Sequence, residues 1–273
     1  MPILPLEGYR PFVDATARFT ALVARPDDEI PLDEAALLIA AHARPGLDVE
    51  GWRRELDELA AGAPGGSDPD APAALAQHLF VDLGFAGNRE HYTDPDNSYL
   101  DRVLERRLGI PITLSVVMLE VARRNGVLLH AVGMPGHFLV GGGAGEWFDP
   151  FNRGARLDLQ GCAARFAETQ GGAPLRPEHL RAIGTRRILE RMLVNLQNAF
   201  VPARSPDAVW VVRLRLALPD LAPVVRGQLA AVLGRLGRFT EAARELDVVA
   251  QALPGDGGRQ AAAAAARLRA RAN

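Results

Sequence analysis

"GMPGHFLVGGGAGEWFDPFNRG", residues 133–154, sets one histidine and one aspartate, His137 and Asp149, in two apolar runs joined by glycines. "HFLVGG" and "EWFDPF" are rich in aromatic and branched residues and bounded by glycine or proline, the composition of strands in an antiparallel sheet. "VLLHAVGMP" before them and "ARLDL" after them read the same way. Two strands joined by the turn 141–145 can place His137 and Asp149 within hydrogen-bond reach. A carboxylate inside an apolar run is costly unless paired, and a neighbouring imidazole satisfies it. Asp149, which precedes Pro150, also suits an ordinary turn. The glycines of "VGGGAG" lead into a strand and not a helix, so they form a turn and not a phosphate loop.

Upstream, "NSYLDRVLERRLGIPITLSVVMLEVARRNGV" (97–127) reads as two helices. Asn97 or Ser98 caps the first, with Asp101 three residues after Ser98. That helix runs to about Arg107 and Gly109 ends it. Pro111 disfavours helical geometry at Ile110. The second helix, from about Thr113 to Asn125, is apolar over most of its surface and is expected to be central and buried.

Residues 12–62 are also helical, with segments at 33–43 and 48–61, the latter carrying Trp52, Leu56 and Leu59 at helical spacing. A loop at 62–72 and a helix over 73–85 follow. From Thr185 the pattern is helical to the end. Counted from Pro223, residues 222–254 match a tetratricopeptide repeat of about 34 residues at Leu229, Leu233, Ala242, Leu246 and Pro254. Ala230 stands where the repeat usually has glycine. A lone repeat cannot bury its apolar face, so an upstream helical pair at 186–219 is expected to stack on it.

The 273 residues are 48% hydrophobic with a formal net charge of −2, and all 31 basic residues are arginine. No block of like charge predicts a nucleic-acid or anionic-membrane partner. The single cysteine, Cys162, forms no internal disulfide and no C-x-x-C metal pair, which fits a reducing cytoplasm. It reads as a small apolar filler. "MPILPLEGYRPF" lacks the pattern of a signal peptide, and no run approaches the roughly 20 apolar residues of a membrane span. His91, His130, His137 and Asp149 lack metal-ligand spacing, so no metal is expected, and no nucleotide, flavin or haem motif calls for a cofactor. Trp52, Trp147 and Trp210 read as core anchors.

"GIPITLS", "GMPGHFLV" and "FDPFNRG", in that order, resemble the transglutaminase-like superfamily, specifically its bacterial SirB-type proteins that append tetratricopeptide helices. The resemblance implies an α+β fold. Its papain-like core would have an antiparallel sheet and a central buried helix, with N-terminal helices at 12–62 inside a domain of residues 1–185. A helical tetratricopeptide-like region would occupy 186–273. In active members a cysteine at the N-terminus of the buried helix is the nucleophile, a histidine on a strand its partner, and an aspartate on the next strand the orienting group. His137 and Asp149 match the last two. Gly109-Ile110-Pro111 matches Gly-x-Cys, so Pro111 stands in the thiol's place.

Sliding the match by two or four residues offers Thr113 or Ser115, hydroxyls that need His137 as general base. Such hydroxyls also cap or back-bond helices. Asn97 and Ser98 are helix caps or cleft residues. Three functions are open. The leading one is a regulatory or interaction module with a protein or peptide partner and a retained His–Asp pair. The others are a hydrolase or acyltransferase using Thr113 or Ser115, and acid–base chemistry by His137 on a small-molecule substrate.

Overall fold

The computed structural model describes residues 11–66, 68–143 and 145–272, with side chains from Ala15 onward. The reading of residues 1–12 as leaderless therefore falls almost entirely outside the described residues. Three helices come first: α1 (Pro11–Val23), α2 (Leu32–Ala43) and α3 (Val49–Ala61). α2 is apolar nearly all round and buries Leu37, Leu38 and Ile39 completely, as a helix wrapped by others should. α3 starts at Asp48, whose carboxylate accepts the Gly51 amide at 2.9 Å and so satisfies an orphan donor of the first turn. Leu56 and Ala60 carry its buried stripe. Trp52 is only half-buried, because it sits in the first turn of α3 beside the largely exposed turn 45–48.

α4 (Ala71–Gln77) passes into a π-turn at His78–Asp82. Gly84 then reverses the chain at φ +77°. β1 (Ala86–Gly87) follows, and after it a 3₁₀ turn at Pro95–Ser98 whose entry is capped by Asp94. α5 (Leu100–Arg106) begins from Tyr99 with no side-chain cap. Asn97 and Ser98 are thus not its caps. Asp94 and Pro95 close a tight turn that ends before the extended backbone at Tyr99. Nor does Gly109 end α5. Arg107 turns left-handed at φ 56° and ends it, while Gly109 lies in β2 (Leu108–Gly109), parallel to β1. Crowding selects glycine there, since a Cβ would lie 3.1 Å from the Val103 side chain and 3.2 Å from Thr113 Oγ1.

α6 (Pro111–Arg124) is the central helix, and Val116, Val117, Met118 and Val121 are fully buried. It starts two residues earlier than the sequence pattern suggests. Proline suits the first helical position, where an amide would have no partner anyway, and Ile110 before it is extended. At the far end, Arg124 reaches Asp33 on α2 at 2.6 Å and Asp57 on α3 at 2.7 Å. Burial pushes the Asp33 carboxyl up, but hydrogen bonds from Arg124 and the Glu34 amide and the charge of Arg53 outweigh it and hold the group below the usual carboxylate range.

β3 (His130–Val132), β4 (Leu139–Gly141), β5 (Trp147–Asp149) and β6 (Ala155–Leu157) form the antiparallel sheet expected from residues 127–159. α7 (Leu159–Thr169) and β7 (Ala182–Ile183) were not foreseen. The strand order is β6-β5-β4-β3-β7, with Val140 opposite Phe148 and Gly141 opposite Trp147. Asp158 caps α7 through the Gly161 amide at 2.7 Å. Cys162 and Phe166 of α7 pack on Val132 and Leu139 of the sheet and on Met134 of the loop between them.

The rest is helical: α8 (Thr185–Phe200), α9 (Ala208–Ala217), α10 (Pro223–Arg235), α11 (Phe239–Ala252) and α12 (Gly255–Ala272). The chain divides into two compact units, residues 1–192 and 193–273, at a point inside α8. Within the second unit Val212, Leu229, Val232, Leu233 and Ala242 form a core. The first unit is mixed helix and antiparallel sheet, an α+β arrangement. Among the described residues no helix is long and apolar enough to cross a membrane.

Candidate functional site

His137 lies two residues before β4, not inside it, and its backbone amide closes a turn onto the Met134 carbonyl at 3.1 Å. Asp149 is the last residue of β5 and caps the following 3₁₀ turn through the Asn152 amide at 3.2 Å. His137 Nε2 stands 2.9 Å from Asp149 Oδ1, with both side chains buried. A carboxylate can only accept, so Nε2 donates to it, which leaves Nδ1 as the ring nitrogen free for another partner. Nδ1 makes no hydrogen bond to a described residue.

Asp149 is the hub. Asn152 donates to it from both its backbone and its side chain. Arg165 on α7 brings Nε to 3.1 Å from Oδ2, but that N–H is not aimed at the oxygen, so the contact is one of charge. Burial drives the Asp149 carboxyl up. The His137 hydrogen bond and charge, then Asn152 and Arg165, overcome this and leave it below the ordinary range.

The histidine loop is held from behind by Arg191 of α8, whose guanidinium donates to the carbonyls of Met134 (3.2 Å) and His137 (2.9 Å) and lies over the Phe138 ring. Phe151 meets His137 edge-on, with ring centres 6.3 Å apart. Arg89 in turn lies over Phe151, 5.1 Å from the ring centre.

His137 opens on a cleft of about 210 Å³, and Pro111 lines it together with Phe151, Asn152 and Arg165. Neither Thr113 nor Ser115 lines it. Thr113 Oγ1 donates to the Asn97 carbonyl and accepts the Ile110 amide at 3.3 Å. Ser115 Oγ donates to the Pro111 carbonyl at 2.8 Å. The hydroxyl nucleophiles considered from sequence are therefore buried and engaged by backbone. Helical rotation explains this. At about 100° per residue, Thr113 points about 200° away from Pro111, and Ser115 returns to the same side about 6 Å deeper.

Asn97 is a loop anchor. Its side chain accepts from Asn88 at 3.0 Å and donates to the His91 carbonyl at 2.7 Å. Ser98 is buried in the 3₁₀ turn, and neither residue lines the cleft. Cys162 is fully buried, and its thiol is pushed up to about 12 by burial and by the charges of Asp158 and Asp149. His130 packs over Gly141, and burial alone pushes its imidazole down. Among the described residues no three His, Cys, Asp or Glu side chains are grouped to hold a metal. Trp147 is half-buried against the sheet core, and Trp210 is buried.

Arg165, Arg191 and Phe151 were not singled out from sequence. Asn152 had a local signal, because an aspartate followed three residues later by asparagine after proline favours a side-chain-capped turn. Arg165 and Arg191 had none, since each reaches the site from a helix far along the chain.

The sequence profile described as transglutaminase-like superfamily matches residues 50–194. A UPF0162 protein of Xylella fastidiosa (strain 9a5c) is 35% identical over 256 residues, covering 86% of this chain and 89% of its own. A UPF0162 protein of Vibrio cholerae is 32% identical over 133 residues, 47% of this chain and 49% of its own. F-box only protein 21 of Mus musculus is 34% identical over 134 residues, 45% of this chain but 21% of its own. No solved structure matches. With the sheet, the buried helix and its matched segment in place, the chain belongs to the transglutaminase-like superfamily and to the UPF0162 family.

Proposed function

We propose that this chain is a SirB-type, cytoplasmic member of its superfamily that has no thiol chemistry and works as a protein-interaction module. Its C-terminal helices, tetratricopeptide-like in pattern, take a peptide partner, and the His137–Asp149 pair is kept for the architecture of the first unit. The observation that carries this reading is Pro111. It begins α6 and lines the cleft with His137, where a nucleophile would have to stand. The two nearby hydroxyls are committed to backbone carbonyls. The cleft, at about 210 Å³, is also below the roughly 300–1,000 Å³ of ordinary small-molecule pockets. Any acyl transfer would need a group within about 3 Å of the imidazole.

Two measurements test it. Fluorophosphonate and β-lactone probes, followed by peptide mass mapping, are expected to leave Thr113 and Ser115 unlabelled. A label at either that disappears in His137→Ala overturns the proposal in favour of a hydroxyl enzyme. Peptides selected by display on the full chain are expected to bind His137→Ala as tightly as the parent. If that substitution abolishes binding while thermal melting shows the variant still folded, the partner belongs in the cleft and the assignment to the helices is wrong.

A further inference from the structure

The second unit carries eleven arginines against six carboxylates, a net charge of +5 in a chain whose total is −2. Most of its acids are already engaged. Glu241 pairs with Arg213, Glu245 with Arg226, Asp247 with Arg269 and Asp256 with Arg259. Asp207 is taken by the Trp210 indole at 3.0 Å and by Ser205. The surplus positive charge is not spread evenly.

A groove of about 1060 Å³ runs along α10, the start of α11 and α12, and Arg204, Arg235, Arg267 and Arg271 line it with no carboxylate among them. None of the four makes an ion pair with a described residue. The floor between them is apolar, built from Val201, Val232, Leu236, Leu246 and Leu268. Arg271 is held in place, its guanidinium 4.5 Å above the Phe239 ring. An apolar floor flanked by unpaired guanidinium groups favours a ligand with apolar side chains between carboxylates, because arginine forks take carboxylates in bidentate fashion.

We infer that this groove binds an extended acidic peptide segment of a partner protein, with its carboxylates on Arg204, Arg235, Arg267 and Arg271 and its apolar side chains on the floor. The inference rests on the interaction role proposed above and names the partner's chemistry. At about 1060 Å³ the groove stands at the upper edge of ordinary small-molecule pockets and has room for an extended peptide. A nucleic acid fits less well. Single strands are held by open aromatic platforms, and the aromatic ring in this groove, Phe239, is covered by Arg271.

The test uses the full chain and fluorescence anisotropy with three labelled probes. One is a twelve-residue peptide alternating Glu with Leu, another the same peptide with Gln for Glu, and the third a single-stranded oligonucleotide. The acidic peptide is expected to bind about ten-fold more tightly than the Gln peptide, and less tightly as salt rises. Arg235→Glu with Arg267→Glu is expected to cost about ten-fold in affinity for the acidic peptide. The control pair Arg54→Glu with Arg176→Glu, both exposed in the first unit, makes the same change in net charge and is expected to cost less than two-fold. All four positions are exposed, so thermal melting checks that each variant remains folded. Equal binding of acidic and Gln peptides, or an unaffected double reversal, overturns the acidic preference and leaves a neutral-peptide module standing. Tighter binding of the oligonucleotide, lost in the same double reversal, overturns it in favour of nucleic acid. Binding of neither peptide here, with no binder from display, overturns the interaction role as well.

Discussion

Replacing Pro111 with cysteine should create a reactive thiol where the chain has none. The side chain would stand at the first position of α6, facing the helix-terminal amides, in the cleft lined by His137. A helix N-terminus and an imidazolium lower a thiol from about 8.5 into the range of roughly 3.5–7.5. Taking about 6.5, half of it is thiolate at pH 6.5, against about 1% for an unperturbed thiol, a gain of about 50-fold. The less basic thiolate is about 8-fold less nucleophilic toward a disulfide, so the net acceleration is about 6-fold. The background is silent, because Cys162 is buried with its thiol pushed up to about 12. The assay is the pH dependence of reaction with an aromatic disulfide reagent, with intact mass to confirm a single adduct. The midpoint should lie about two units below that of an exposed control cysteine and move back up in Pro111→Cys with His137→Ala. A midpoint at or above 8.5, unmoved by His137→Ala, would show that Pro111 does not hold the thiol's position.

Asp149→Ala should cost about 3–5 kcal/mol in urea unfolding, since it strips His137 and Asn152 of a fully buried acceptor and Arg165 of its opposite charge; a loss under about 1 kcal/mol would mean the hub is not structural. Asp33 and Asp149 both titrate below their ordinary values when folded. Their contribution is therefore fully present above the unfolded aspartate value of about 3.9 and is lost as pH falls through the lower folded values. Unfolding free energy should decline below about pH 4, less steeply in Asp149→Ala, and parallel curves for the two proteins would contradict this. Gly154 sits at φ +68°, where a Cβ would collide with the Phe80 ring. Gly154→Ala should lower stability by at least about 2 kcal/mol by the same measurement, and a neutral outcome would mean that the turn relaxes freely.

Much of the first unit could be read from residue pattern. The strands around His137 and Asp149 announced themselves because each is short, branched or aromatic, and closed by glycine, and the buried helix because its apolar residues cover every face. What escaped had weak local signals. α7 is a helix of mixed character, and its start depends on Asp158 reaching Gly161, a pattern shared with many turns. Gly109 looked like a helix stop because glycine usually is one there, yet its role is close packing against Val103 and Thr113. The hydroxyls of Thr113 and Ser115 were eligible nucleophiles by residue type alone. Only the phase of α6 shows where they point. The arginines that complete the site lie on α7 and α8, so no spacing rule links them to the residues they hold.

The way Asp149 gathers its neighbours bears on how relatives of this chain should be judged. One carboxylate clips the end of β5 to the turn after it, to the histidine loop and to α7. Selection for folding alone is then enough to preserve both members of the couple, whatever the protein is employed for. In a related sequence, a surviving histidine and aspartate say nothing about turnover. Under the function proposed above, the side chain that opens the central helix is the one to compare between relatives.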